Sequence, residues 1–340
     1  LSGFMIGMAT GQLIIGVLSD TFGRKRFIVS GAALALITSL LCAIAPNIGI
    51  LIAARFLQGL GSGACVVLAR SVIPDITSGV TAAKAFSWMG IISGIAPAAA
   101  PVLGSLLVSS LGWRGIFYVL AGIAAAQLLV ALFVIPETRP PADRTPLSFG
   151  SFTAVIKEPV FVRYALVVGF GFASMFAYIS ASSFVMQEIM GFSPQIFALV
   201  FGTNALGLMV GGALNTRLLD RFPAAAILKI ALIIMTVAAT IVLACALTGL
   251  PRIPFFLALF FAVMPLSLVM GNATALAVAA VRTRAGSASS VMGFGQFLLA
   301  GLVSPLVGMV GGSQAVGMGV CMVGAAVVAV MMFVLARRAD

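Results

Sequence analysis

Residues 16–26 read GVLSDTFGRKR and separate two long apolar runs. A charged connection this short cannot enter hydrocarbon, so it must lie at one face of a bilayer, as a hairpin between two membrane-spanning helices. Gly23 supplies a residue that tolerates a positive φ at the turn. Asp20 and Arg24 are close enough in sequence to pair across it. The basic run that begins at Arg24 marks the cytoplasmic side of the membrane.

The composition excludes a soluble fold. Of the 340 residues, 62% are hydrophobic and 8% are charged, whereas soluble domains carry roughly 25% charged residues. The chain is therefore predicted to be an all-α polytopic membrane protein. A net charge of +11 would suggest nucleic acid as the partner of a soluble protein. Here the basic residues lie between apolar runs, where they set topology and can contact anionic lipid, so no nucleic-acid partner is predicted.

The residue types also limit the chemistry. The chain has no histidine, and its four cysteines are scattered within apolar runs without the spacing of metal ligands. We therefore predict neither a metal nor a cofactor. A membrane enzyme is disfavoured for the same reasons, and the eight acidic residues all fall in loops or at the ends of apolar runs.

Apolar runs predict about eleven spans, each near the ~20 residues that cross a bilayer. The runs are 2–19, 28–46, 49–72, 84–110, 114–135, 161–184, 195–216, 225–248, 253–277, 287–310 and 313–336.

The distribution of basic residues supports this count. With the side of Arg24 cytoplasmic, alternate loops are basic throughout, and the outside loops hold only Arg114 and Arg252. The same alternation puts the N-terminus outside and the C-terminus inside. An even number of helices would bring both ends inside, so we expect one span to precede Leu1.

A proline-rich polar segment at 136–160 predicts a cytoplasmic linker between an N-terminal half, 1–135, and a C-terminal half, 161–340. The halves resemble each other. Met89-Gly90 recurs as Met292-Gly293, and the motif at 101–104 recurs at 305–308, both about 200 residues further on. The common offset indicates duplication, and hence two pseudo-symmetric helical halves.

The hairpin at 16–26 matches every position of the pattern G-x-L-x-D-x-x-G-R-[KR] and so resembles the major facilitator superfamily of secondary transporters. The alternative is a generic basic loop that only sets topology. The resemblance implies a major facilitator fold of two six-helix halves and a cytoplasmic gate. The residues it assigns to that gate are Gly16, Asp20, Gly23, Arg24, Lys25 and Arg70.

Arg55 stands inside a span, where an arginine costs about 2.5–3.5 kcal/mol on insertion scales unless it faces a partner or water. Gln58, one turn on, adds a polar group to the same face, and Gly59 and Gly63 offer close helix packing. Residues 55–61 resemble the superfamily's R-x-x-Q-G-x-G motif, whose arginine is associated with proton coupling. The resemblance implies that role for Arg55, with Gln58 as support. The alternative is that Arg55 snorkels to the outer interface.

Residues 90–104 place two prolines, four apart, among small residues inside a span, which predicts a bent and closely packed helix. They resemble the antiporter motif G-x-x-x-G-P-x-x-G-G of drug/proton exchangers, although Ile95 and Ala96 separate the second glycine from the proline. The variant A-P-x-x-A-P-x-x-G resembles the bicyclomycin/chloramphenicol-resistance branch. A kinked helix without a role in exchange is the alternative. The motif positions are Gly90, Gly94, Pro97, Pro101 and Gly104.

Polar and aromatic residues inside spans are the candidates for a substrate cavity. For Met89 and Phe176 ordinary packing is the better interpretation, whereas buried amides need partners. The candidates are Met89, Phe176, Tyr178, Asn204, Asn272 and Gln296. In the resembled branch an acidic residue lies in the first helix, so we expect the acid that partners Arg55 to precede this chain. Asp20 is better placed to pair with Arg24 or Arg70 at the gate.

Together these observations predict a monomeric, proton-coupled exporter of small lipophilic compounds in the inner membrane, with protons and the lipid bilayer as its other partners. Two alternatives stay open. One is a proton-coupled metabolite transporter on the same fold. The other is a membrane fragment or structural subunit that does not transport.

Overall fold

A computed structural model describes residues 1–77, 79–141, 150–281, 285–310 and 312–338. In these ranges the chain is a succession of α-helices joined by short turns. The helices are α1 (Ser2–Phe22), α2 (Arg24–Ile44), α3 (Ile48–Ile76), α4 (Gly79–Phe133), α5 (Gly150–Ile156), α6 (Pro159–Phe184), α7 (Pro194–Leu219), α8 (Ala224–Leu247), α9 (Arg252–Val263), α10 (Leu266–Ala280), α11 (Ala285–Met309) and α12 (Gln314–Arg337).

Within the described ranges, nine helical segments are long and apolar enough to cross a membrane, and α1 adds a shorter apolar run, Ser2–Gly16. The predicted all-α membrane fold is confirmed. The count of eleven spans and the preceding span stay predictions.

Two helical stretches contain a backbone interruption. Gly112 is not helical (φ 67°, ψ 179°), so the predicted runs 84–110 and 114–135 lie on two stretches of α4 that this residue separates. The run 253–277 lies within one apolar stretch, Arg252–Ala280, that is long enough to cross a membrane. This stretch has a short break between the end of α9 at Val263 and the start of α10 after Pro265, because proline lacks the N–H that would continue the helical ladder.

Contacts divide the chain into two compact units. Unit 1 comprises Leu1–Ser93, Leu106–Thr153 and Ser289–Gly301, and unit 2 comprises Gly94–Ser105, Ala154–Ala288 and Leu302–Asp340. In the predicted linker, 142–149 lie outside the described residues, and α5 follows them. The division into halves at 136–160 stays a prediction.

Unit 1 is built on a close contact between α1 and α3. A methyl group placed on Gly59 would overlap the carbonyl oxygen of Phe4, and one placed on Gly63 would overlap that of Met8. From the other side, a methyl group on Gly7 would overlap the carbonyl oxygen of Phe56. Glycines on both helices therefore let the two backbones touch, as the sequence predicts at Gly59 and Gly63.

In unit 2, α12 packs along α6 and also contacts α8. Ser174 of α6 donates a hydrogen bond of 3.3 Å to the carbonyl oxygen of Met322. On the α8 side, a methyl group at Gly319 would lie 2.8 Å from Cα of Leu243. Small residues on α12 thus allow close packing against both neighbours.

The α1–α3 contact predicts opposite effects for two glycine-to-alanine substitutions. Gly59→Ala forces the backbones apart and should lower stability by about 1–3 kcal/mol, the usual range for overpacking. Gly122→Ala in α4 meets no atom within 4 Å, so it should be neutral or stabilising by up to about 1 kcal/mol, the helix-propensity gain. The melting temperatures of the purified variants in detergent test this, and equal values for both would contradict the contact.

Candidate functional site

The hairpin between α1 and α2 is a single-residue connection. Gly23 has φ 96° and ψ 148°, and its N–H donates a 3.0 Å hydrogen bond to the carbonyl oxygen of Ser19. An L-residue with a side chain rarely adopts this conformation. The positive φ predicted for Gly23 is confirmed, and it directs the next residue, Arg24, into the first turn of α2.

Arg24 pairs with Asp75 at the end of α3. Arg24 Nε lies 2.5 Å from Asp75 Oδ2, and Nη2 donates to Oδ1 at 3.3 Å. The two side chains are only 8% and 14% exposed. A two-point pair shielded from water is stronger than an exposed pair. Asp20, the expected partner, has a side chain outside the described residues, so that pairing stays a prediction. The sequence carried one signal for Asp75, its place at a cytoplasmic helix end.

Glu137 closes the hairpin from the segment that follows α4. Its Oε1 accepts hydrogen bonds from the backbone N–H groups of Arg24, at 2.9 Å, and of Arg139, at 3.0 Å. The carboxylate therefore sits at the N-terminus of α2, where the helix dipole favours negative charge. Beside it, Thr138 Oγ1 donates to Asp75 Oδ2 at 3.0 Å. Glu137 was missed from the sequence, because its partner is a backbone group 113 residues away.

The other predicted gate residues have different surroundings. Lys25 Nζ donates to the carbonyl oxygen of Leu132 at 3.0 Å, which ties α2 to the end of α4. Gly16 faces Ser290, since a methyl group there would lie 3.0 Å from its Oγ. Arg70 is exposed and makes no ion pair within the described part of the chain. Among the described residues, Arg70 therefore does not join the group formed by Arg24, Asp75 and Glu137.

Arg55 begins a directed chain of hydrogen bonds across unit 1. Its Nη1 donates to Gln58 Oε1 at 2.5 Å, and Gln58 Nε2 donates to Ser39 Oγ at 2.6 Å. Ser39 Oγ then donates to the carbonyl oxygen of Ala35 at 2.6 Å. Each donor meets an acceptor, which fixes the orientation of the Gln58 amide. Gln58 and Ser39 are 4% and 1% exposed.

Aromatic faces complete the surroundings of Arg55. Its guanidinium carbon lies 4.3 Å from the ring centroid of Phe4 and 5.7 Å from that of Phe117. These distances are in the range of cation–π attraction. No carboxylate pairs with Arg55 among the residues that the structure describes. Its guanidinium is thus held by neutral groups, and no anion of the described ranges cancels its charge.

The antiporter-like motif falls largely outside the described residues. The backbone of α4 is helical through 90–104, but nothing is described of the side chains at Gly90, Gly94, Pro97 and Pro101, nor of Met89. A methyl group at Gly104 would meet no atom within 4 Å in the described part of the chain. The close packing and the role in exchange that the sequence predicts for this motif stay predictions.

The predicted cavity residues form two separate polar contacts in unit 2. Asn204 Nδ2 donates to the Tyr178 hydroxyl at 2.9 Å, and the Tyr178 ring stacks on Phe201 at 5.5 Å. Asn272 Nδ2 instead donates to Asn215 Oδ1 at 2.7 Å and to a backbone carbonyl of its own helix.

All three predicted residues in these contacts are at least 97% buried, so their polar groups need these partners. Sequence reasoning missed Phe201 and Asn215. Of the other candidates, Phe176 packs on Phe172 with ring centroids 4.8 Å apart, and Gln296 is half-buried in α11.

These features define a class of protein, a polytopic helical membrane protein. The sequence pattern of the Major Facilitator Superfamily matches residues 1–305. The chain belongs to the Major Facilitator Superfamily. It is therefore a multi-pass transporter of the inner membrane and not an enzyme.

Several named proteins are similar to this chain. An uncharacterized MFS-type transporter of Bacillus subtilis, YdgK, is 35% identical over 98% of this chain and 84% of its own length. A bicyclomycin resistance protein homolog of Haemophilus influenzae is 30% identical over 90% of this chain and 78% of its own. The multidrug resistance protein MdtL of Escherichia coli is 32% identical, over 59% of this chain and 52% of its own. The resemblance to the resistance-protein branch is confirmed.

Two solved structures share the fold. The human organic anion transporter MFSD10 superposes with a TM-score of 0.71 at 18% identity, covering 98% of this chain and 82% of its own. A bacterial homolog of the human lysosomal transporter Spinster, in an inward-facing and unoccupied conformation, superposes with a TM-score of 0.68 at 18% identity. The match covers 99% of this chain and 90% of that homolog. At this identity they establish the fold alone.

The Arg24–Asp75 pair predicts a selective effect of neutralising one acid. Asp75→Asn removes the carboxylate charge that pairs with a guanidinium only 8% exposed. We expect the free energy of unfolding to fall by about 2 kcal/mol. This value lies between the roughly 0–1 kcal/mol that an exposed ion pair contributes and the roughly 3–5 kcal/mol lost when a buried pair is broken. Asp220→Asn, at the exposed end of α7, is the matched control and should have little effect. Indistinguishable melting temperatures would show that the pair is unimportant.

The Tyr178–Asn204 bond predicts a cost for removing one hydroxyl. Tyr178→Phe leaves the buried Asn204 amide without its acceptor, which should cost about 1–3 kcal/mol. The same change at Tyr118, which is 52% exposed, should be nearly neutral. Melting temperatures of the two variants compare these outcomes, and a neutral Tyr178→Phe would mean that Asn204 is satisfied in another way.

Proposed function

We propose that this transporter exports small lipophilic compounds in exchange for protons. It works as a monomer, by alternating access of two helical halves, 1–135 and 161–340. The sequence similarity to proteins named for bicyclomycin and multidrug resistance supports export as the direction. The chain Arg55–Gln58–Ser39 is the observation that carries the proton-coupling part of the proposal.

Arg55 acts as a fixed positive charge in the membrane. An arginine does not lose its proton in proteins, so Arg55 itself cannot carry protons across. It can stabilise the deprotonated form of a carboxylate that approaches it during the transport cycle. Gln58 and the faces of Phe4 and Phe117 hold the guanidinium without neutralising it, so it remains available to an anion. Protonation of that carboxylate would release the pair and permit the next step.

The contacts around Arg24, made by Asp75, Glu137 and Lys25, hold the cytoplasmic helix ends of unit 1 together. Asp75 joins α2 to the end of α3, while Glu137 and Lys25 join α2 to the end of α4 and the segment after it. These bonds let the helix ends move together as one body. Rocking of halves around a midplane site requires such rigidity within a half.

The substrate contacts proposed for unit 2 are the stacked rings of Tyr178 and Phe201, with Asn204 as the polar neighbour. Pockets for lipophilic ligands are lined mainly by apolar and aromatic groups, with a few polar groups that fix orientation. This arrangement supports lipophilic compounds over strongly polar metabolites as the substrate class.

We expect Arg55→Ala to abolish pH-driven drug transport while leaving the protein folded. Arg252→Ala is the matched control, because Arg252 also lies over an aromatic ring, that of Phe192, but at a predicted outside loop. Inverted membrane vesicles with an imposed pH gradient report uptake of a lipophilic cation and of chloramphenicol. Gln58→Ala should reduce uptake less than Arg55→Ala, since the rings still hold the guanidinium.

Two results would overturn the proposal. If the unmodified protein moves neither compound although it is folded and the vesicles hold their gradient, drug export fails and metabolite transport becomes the leading function. If Arg55→Ala transports as well as Arg252→Ala does, export can stand, but proton coupling through Arg55 fails.

A further inference from the structure

Unit 2 also contains an apolar crevice. It has a volume of about 260 Å³ and lies between α7, α8 and the break between α9 and α10. All twelve residues that line it are apolar, and among them are Leu218, Phe222, Ile230, Ile234 and Pro265. None of the predicted gate, coupling or cavity residues belongs to its lining.

The break at Pro265 accounts for the crevice. Because α9 ends at Val263 and α10 begins at Leu266, the wall opposite α7 and α8 is not a continuous helix surface. Several lining side chains are also outward-facing, since Phe222 is 52% exposed and Ile230 is 59% exposed. Exposed apolar side chains of this kind are suited to contact with the acyl chains of a bilayer.

Three basic residues lie next to lining residues in the sequence, at and near the turn between α7 and α8. Arg217 is in the last turn of α7, Arg221 directly precedes the lining residue Phe222, and Lys229 directly precedes the lining residue Ile230. All three are exposed, and the described residues include no ion pair to any of them. The alternation of basic loops puts this turn on the cytoplasmic side. Asp220 is the acidic residue of the turn, so a net positive charge remains.

We propose that this crevice binds an anionic phospholipid of the cytoplasmic leaflet. One acyl chain lies against the apolar lining, and the basic residues Arg217, Arg221 and Lys229 bind the phosphate of the headgroup. Clusters of basic residues at the cytoplasmic surface attract anionic lipid. Lipid in this position fills a void that would otherwise lie beside the broken helix, and filling such a void stabilises the fold.

A drug is a poorer occupant than a lipid chain. Pockets that enclose drug-sized ligands have volumes of roughly 300–1,000 Å³ and contain a few polar groups that fix orientation. The crevice is smaller than that range and its lining has no polar side chain. An acyl chain needs no polar partner within the crevice, because its only charged part lies at the surface.

Native mass spectrometry of the purified protein tests the headgroup contact. Dioleoyl-phosphatidylglycerol and dioleoyl-phosphatidylcholine have the same chains and differ in net charge. We expect tighter retention of phosphatidylglycerol, and about 30-fold weaker retention in Arg221→Gln/Lys229→Gln, since each basic residue near the surface contributes roughly fivefold. Arg337→Gln/Arg338→Gln removes two charges from another predicted cytoplasmic segment and should leave retention unchanged. Equal retention of both lipids, or equal losses in both double variants, would overturn the proposal.

A second pair of variants tests the chain contact. Ala226 lines the crevice and its neighbour Ala225 does not, so Ala226→Leu should weaken retention of phosphatidylglycerol while Ala225→Leu should not. If neither variant changes retention, the lipid binds by its headgroup alone and the crevice is not its site. If a lipophilic cation is retained instead and competes with phosphatidylglycerol, the crevice is a substrate site and the lipid assignment is wrong.

Discussion

The backbone contact between α1 and α3 is the constraint on which the surroundings of Arg55 depend. The carbonyl oxygens of Phe4 and Met8 lie against Gly59 and Gly63, where no side chain fits. The same contact brings the Phe4 ring over Arg55, which is one turn before Gly59 on α3. Helices in lipid associate through close packing and not through a hydrophobic driving force. The absence of side chains at Gly59 and Gly63 therefore lets α1 approach α3 closely enough to place Phe4 beside Arg55.

Unit 1 accommodates two shielded arginines in different ways, and the difference bears on function. Arg24 has a two-point ion pair with Asp75, so its charge is neutralised and the pair stabilises the contact between α2 and α3. Arg55 is held by the Gln58 amide, which accepts a hydrogen bond from Nη1, and by aromatic faces, which attract its charge but do not cancel it. A cation held in this way keeps its attraction for an anion, and that property suits a group whose partner changes during a cycle.

The sequence was most informative where the physics is local. The positive φ at Gly23 follows from a turn too tight for another residue, and the Arg55–Gln58 bond follows from one-turn spacing on a helix. The sequence did not indicate which carboxylates bind Arg24, because Asp75 and Glu137 are 51 and 113 residues away. Nothing in the local pattern marks a carboxylate as the cap of a distant helix.

The sequence alone determined that this is an all-helical membrane protein, which superfamily it belongs to, and which residues stand at its first hairpin and inside α3. These properties can be predicted because hydropathy, charge alternation and short motifs belong to contiguous stretches of chain. Only the tertiary structure decided which groups meet. It paired Asn272 with Asn215 and not with Tyr178, and it opened an apolar crevice at Pro265. These outcomes depend on how separate helices face each other, and the periodicity of one helix does not specify the face of its neighbour.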